Sequence, residues 1–259
     1  MKVNPIELDL SELKPSAITC DSLTHNWSIF QLKKGHRFSA DDLFTADLAL
    51  RLAPDAEQCL DLGAGIGTVG LLVLNGLPSH STLTMIEAQQ VSHQLAKRTI
   101  SHNQLENRVT ALRGDLRHDA VFEQLPKFPL VTGSPPYIPV GSGVISPHPQ
   151  RAACRMELRG SIADYALRAA QMLSDEGVFV VCFAGQDPRG EAAIEAAGLH
   201  LKVRQDVIFR ADLKPTITVL AAQKNPCEAH HTPPLVIRNA MGKFTDEYMA
   251  MRHRLGAPI

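Results

Sequence analysis

The stretch that most constrains this chain is DLGAGIGTVG, residues 61–70. It follows a short apolar run at 59–62 and precedes an apolar-periodic segment at 68–77. Glycines in a strand-to-helix turn let the backbone bend sharply and bring its N–H groups close to a ligand. The helix that follows adds the positive end of its dipole. Gly65-x-Gly67-x-x-Gly70 also has the dinucleotide-binding spacing. A turn of this kind belongs in a sheet of parallel strands, because the ligand crevice forms where such strands end.

The rest of the sequence supplies that frame. Strands are expected at 82–86, 109–113, 130–132 and 178–183, and helices at 89–103, 162–173 and 190–197. Ser39 followed by Asp41 and Asp42 opens a helix through Leu43, Phe44, Leu48 and Leu52, which Pro54 ends. Two runs, 201–209 and 216–222, are joined without a helix and read as an antiparallel pair at the sheet edge. The expected fold is therefore α/β: a mostly parallel sheet with helices on both faces. At 259 residues and 44% hydrophobic content, one large core is feasible. We expect an N-terminal extension at 1–40, a core domain at 41–223, and a linker with a docking C-terminal segment at 224–259. The linker is QKNPCEAHHTPP, 223–234, with a further strand at 235–238; beyond it, Phe244, Tyr248 and Met251 share one side of a short helix. No apolar run approaches a membrane span, and MKVNPIELDL lacks the apolar core of a signal peptide.

The glycine loop alone fits a nicotinamide cofactor or S-adenosylmethionine, and the acids beside it help to choose. Asp61 at a strand end would repel a pyrophosphate and would attract the ammonium of a methionine moiety, by about a few kcal/mol. Glu87 ends the next strand and can accept both ribose hydroxyls of either cofactor. Asp115 can cap a turn and accept from an adenine amino group. Five scattered cysteines, never in a CxxC pair, argue against a disulfide framework or a zinc site and fit the reducing cytoplasm. A net charge of −1 gives no global pull toward nucleic acid, so any such contact needs a local patch. Two clusters qualify. Lys33, Lys34, His36 and Arg37 precede the glycine loop. Arg151, Arg155 and Arg159 recur every four residues and would form one stripe on a helix, facing RNA phosphates.

A second motif, SPPY at 134–137, ends the expected strand of FPLVTGSPPY. DLGAGIG, Glu87, Asp115 and Ser134-Pro135-Pro136-Tyr137 make an ordered set. The set resembles the class I S-adenosylmethionine-dependent methyltransferases, and within them the tRNA1(Val) adenine N6-methyltransferase family. KKGHRFSADD, HPQRAACRMELRGSIADY and LVIRNAMGKFTDEY extend that resemblance over about residues 30–250. It implies a Rossmann-like, seven-stranded sheet and S-adenosylmethionine held by Asp61, Gly63, Ala64, Gly65, Gly67, Glu87, Asp115 and Leu116. It implies an acceptor site at Ser134, Pro135, Pro136 and Tyr137, with Tyr137, Arg37, Arg151 and Arg155 toward a tRNA substrate, no metal and no membrane.

The chemistry wants such a loop. An adenine amine is a poor nucleophile because its lone pair is delocalised into the ring. Two acceptors on its hydrogens favour a pyramidal nitrogen aimed at the methyl group, and alignment supplies most of the gain. Prolines fix φ and hold the preceding residue extended, so the carbonyl of Pro135 sits in a rigid frame. Tyr137 is placed to stack on a flipped-out base. The family has asparagine where this chain has Ser134, a shorter acceptor. A protein glutamine amide, a small-molecule acceptor, or cofactor binding without turnover are the alternatives.

Overall fold

The structure is a computed structural model that describes residues 7–258. An antiparallel hairpin of β1 (Ile18–Ser22) and β2 (Ser28–Leu32) precedes α1 (Ala40–Leu52). The chain then alternates through β3 (Gln58–Leu62), α2 (Thr68–Gly76), β4 (Thr82–Glu87), α3 (Gln90–His102), β5 (Val109–Arg113) and β6 (Phe128–Gly133). Next come α4 (Pro149–Arg155), α5 (Ile162–Met172), β7 (Leu173–Ala184), α6 (Arg189–Ala196), β8 (His200–Arg210) and β9 (Ile217–Gln223). The chain closes with β10 (His230–Arg238) and α7 (Asp246–Arg254).

One sheet carries the fold, in the order β10-β8-β9-β7-β6-β3-β4-β5. Strands β3 to β7 run parallel to their neighbours, and β9 lies antiparallel between β7 and β8. The central strands are largely apolar: Leu60, Leu62, Leu130, Val131 and Phe179 have no exposed surface, as a sheet covered on both faces requires. Residues of α1, α2, α3 and α7 pack into the core on one face, and those of α5 and α6 into the core on the other.

Among the described residues this sheet has eight strands where seven were expected. The extra one is β10, which pairs in parallel with β8 and displaces the antiparallel pair from the edge. It starts at His230, not Leu235, so the connecting segment shortens to 224–229. The reason is alternation across the pair. Val203 and Val207 of β8 and Leu235 and Ile237 of β10 are buried in the same core, which fixes the register.

The topology sets the site. The connections from β3 run one way across the sheet to β4 and β5, and the other way to β6. The crevice at that reversal lies beyond the carboxyl ends of the strands. Asp61 near the end of β3, Glu87 at the end of β4 and Ser134 just after β6 all emerge there.

Candidate active site

A cleft of about 460 Å³ opens at that end of the sheet. Its floor is the glycine loop. Gly63 has φ +58° and Gly67, the residue just before α2, has φ +95°. Both lie in the left-handed region that side chains disfavour. A Cβ on Gly63 would sit 1.8 Å from the Tyr165 hydroxyl oxygen. Ala64 N–H donates to the Ile86 carbonyl at 2.9 Å, which ties the loop to β4.

Two buried acids hold the loop. Asp61 is 1% exposed; its Oδ1 accepts from the Thr132 hydroxyl at 2.8 Å and its Oδ2 from Gly70 N–H at 3.0 Å. Burial pushes its carboxyl up to about 6, against those two hydrogen bonds. Glu87 accepts from Gly65 N–H at 2.7 Å with Oε2 and from Gln89 N–H at 2.6 Å with Oε1. Burial raises its pKa too, opposed by the Gln89 and Gly65 amides. A carboxylate has about four acceptor positions, so each acid keeps capacity for a ligand.

Of the expected cofactor residues, Asp61, Gly63, Ala64, Gly65, Glu87 and Leu116 line the cleft. Gly67 lies one layer behind, against Met85, and shapes the turn. Asp115 does not line the cleft. Arg117 grips both of its oxygens, at 2.9 Å through Nε and 2.6 Å through Nη2. Burial works to raise the Asp115 pKa, but the Arg117 hydrogen bonds outweigh it and hold the group below the ordinary value.

Ser134, Pro135, Pro136 and Tyr137 form the facing wall. Tyr137 turns its hydroxyl inward, donating to Asp41 Oδ2 at 2.8 Å, and lies 3.2 Å from Cys182 Sγ. Its ring meets Phe183 edge-on at 5.5 Å. Burial lifts its phenol well above the usual value. Ser134 Oγ is 3.3 Å from the same Cys182 sulfur. Local sequence offered no signal for Asp41, Cys182 or Tyr165 at this site. They come from α1, β7 and α5 and meet only through the tertiary fold.

The basic groups converge on the cleft, though not as a helical stripe. Helix α4 ends at Arg155, because Ile138 N–H donates to the Arg155 carbonyl and Glu157 N–H to the Ile138 carbonyl. Arg159 therefore lies beyond the helix. It pairs with Glu7, and its Nε is buried with no hydrogen-bond partner among the described residues. Arg37, Arg151, Arg155 and Arg159 all line the cleft. Arg37 is held by Asp21 at 3.0 Å, and Arg151 donates to the Lys34 and Gly35 carbonyls. Arg155 is exposed and has no ion-pair partner among the described residues. His36 lines the cleft as well, and burial lowers its pKa, so it adds no charge near pH 7. Lys33 and Lys34 are exposed. Among the described residues, no cluster of His, Cys, Asp and Glu is placed to hold a metal ion, and no helix is long and apolar enough to cross a membrane.

Known proteins resemble this chain in sequence and in fold. A family model described as the methyltransferase small domain matches residues 34–142. A tRNA1(Val) (adenine(37)-N6)-methyltransferase of Escherichia fergusonii is 26% identical over 197 residues, covering 75% of this chain and 78% of that one. The Escherichia coli K12 protein of the same name is 25% identical over 196 residues, with 75% and 78% covered. Among solved structures, a predicted O-methyltransferase from Agrobacterium tumefaciens has a TM-score of 0.62 at 21% identity, covering 84% of this chain and 98% of that one. A T. thermophilus 16S rRNA N2 G1207 methyltransferase, in complex with AdoMet and guanosine, has a TM-score of 0.58 at 20% identity, covering 82% and 52%. The matched segment 34–142 runs from the basic cluster through the glycine loop to the loop after Tyr137.

Proposed function

We propose, for a chain that is a class I S-adenosylmethionine-dependent methyltransferase, that the methyl acceptor is an adenine N6 in tRNA. One observation carries this reading. The rigid Ser134-Pro135-Pro136-Tyr137 wall faces the glycine loop across one cleft, with arginines on its lining. The tRNA adenine N6-methyltransferases among the relatives support the choice of acceptor.

S-adenosylmethionine supplies an electrophilic methyl group, and the loop residues fit it. The left-handed glycines leave no side chain over the floor, and the charge of Asp61 suits an ammonium. Glu87 keeps acceptor capacity for the two ribose hydroxyls. Asp115, folded around Arg117, shapes the loop that leaves Leu116 lining the adenine side.

On the acceptor wall, the Pro135 carbonyl and the Ser134 oxygen accept the two amine hydrogens and turn the nitrogen lone pair toward the methyl group. A bound S-adenosylmethionine would supply the methyl group and leave as the neutral thioether, and the methylated amine would give its extra proton to water. Tyr137 offers the flipped base a ring face, worth about 1–3 kcal/mol, while its hydroxyl is held by Asp41. The unpaired cysteines of the fold support a cytoplasmic setting, where tRNA is found.

The arginines give a direct test. Arg151→Ala with Arg155→Ala is expected to weaken tRNA binding and lower its salt slope by about one per lost phosphate contact. S-adenosylmethionine affinity should not change. Filter binding across a salt series measures this, and an unaltered slope would exclude both groups from the RNA contact.

A further inference from the structure

A hydroxyl is an ambiguous replacement for an amide oxygen, because it donates as readily as it accepts. An amine bearing two hydrogens needs acceptors only. Something must therefore keep the Ser134 proton out of the cleft. We propose that the chain Asp41–Tyr137–Cys182 fixes the Ser134 hydroxyl as an acceptor, with Asp41 and Cys182 as positioning residues for the transfer. This rests on the amine-acceptor reading above.

The directions follow from proton counting. The Asp41 carboxylate accepts only; Ser39 Oγ donates to its Oδ1 at 3.0 Å and Tyr137 to its Oδ2 at 2.8 Å. Tyr137 has one proton, and the charged acceptor takes it. The Tyr137 oxygen is then left as an acceptor, 3.2 Å from Cys182 Sγ. Cys182 is fully buried, and burial pushes its thiol up to about 12, so it keeps its proton near pH 7. That proton goes to the Tyr137 oxygen or to Thr45, whose own hydroxyl proton is committed to the Asp41 carbonyl at 2.9 Å. The sulfur is left with lone pairs facing Ser134 Oγ at 3.3 Å, and Ser134 donates to it. The lone pairs of the Ser134 oxygen then remain for the cleft, as the oxygen of an asparagine would.

Asp41→Asn reverses this order. An amide N–H at position 41 donates to Tyr137, which turns its proton to Cys182, which turns its own to Ser134. The serine proton is then free to face the incoming amine. We expect kcat on tRNA to fall about tenfold, the worth of one hydrogen bond, with KM for tRNA and cofactor affinity unchanged. In a Ser134→Asn background, where the acceptor is independent of the chain, Asp41→Asn should cost less than about twofold. An equal loss in both backgrounds would overturn the proposal, since a merely structural aspartate would act in both. A second readout needs no turnover. The infrared S–H band of Cys182, assigned by its loss in Cys182→Ala, should shift more in Tyr137→Phe or in Thr45→Val than in Ser134→Ala. An equal or larger shift in Ser134→Ala would overturn the proposed direction. Wild-type protein that labels no tRNA removes the adenine reading instead, and the infrared comparison still decides the chain.

Discussion

Asp61→Ala is expected to abolish measurable S-adenosylmethionine binding in titration calorimetry. The buried carboxylate is the partner of Gly70 N–H and of the Thr132 hydroxyl. Its removal leaves both groups without that partner in a dry site, at about 1–3 kcal/mol each. It also removes the charge proposed to attract the ammonium, about a few kcal/mol more. The unpaired amide and hydroxyl lower folding stability, while a lost attraction of about 4 kcal/mol is by itself roughly a thousandfold in Kd. The pH dependence has a definite sign. Burial lifts the Asp61 carboxyl from 3.8 to about 6, so this group's contribution to folding is present at low pH and lost as pH rises through about 6. An ammonium ligand favours the charged form. Cofactor affinity should therefore fall as pH drops below about 6, and binding there should release a proton. Asp61→Asn should flatten that profile. Binding by Asp61→Ala at wild-type affinity would contradict the assigned role.

Gly63→Ala is expected to be nearly as damaging, for a different reason. The residue sits at φ +58°, where an L side chain costs about 1–2 kcal/mol. Its new Cβ would lie 1.8 Å from the Tyr165 oxygen and 2.7 Å from the ring carbon that bears it. Tyr165 is buried on α5, so it cannot give way without moving that helix. The glycine loop must shift instead, and the cleft floor with it. Calorimetry should show at least a hundredfold weaker cofactor binding, about 2.7 kcal/mol, with a folded far-ultraviolet spectrum. Gly65→Ala is the control. It also carries a left-handed φ, +59°, but its Cβ would meet nothing within 4 Å. The Gly63 variant should therefore be the worse of the two; equal losses would assign the effect to backbone strain alone.

Much of the fold was legible because its signals are local. The glycine turn, the alternating strands and helices, and the capping box of Ser39 and Asp42 each act within a few residues. The acids at strand ends were legible by position: Asp61 and Glu87 emerge side by side because β3 and β4 are parallel neighbours. What escaped depends on distant partners. The linker lost residues 230–234 to β10, because the open edge of β8 was there to pair with them. The arginine stripe broke at Arg155, because the loop after Tyr137 takes up the backbone groups that would continue the helix. Asp115 is the exception: its partner Arg117 is only two residues away, and the pairing takes the carboxylate off the cleft lining. The inward rotation of Tyr137 needed Asp41 and Cys182, which lie 96 and 45 residues from it in sequence. Ser134 stood out as a shorter acceptor, and only the packed structure shows the sulfur behind it.

The central claim is methyl transfer to an adenine N6 in tRNA. The most direct measurement is mass spectrometry of nucleosides from unmodified tRNA incubated with the protein and isotopically labelled S-adenosylmethionine. The account predicts labelled N6-methyladenosine, lost in Asp61→Ala. Label in another nucleoside, or in none, would contradict it.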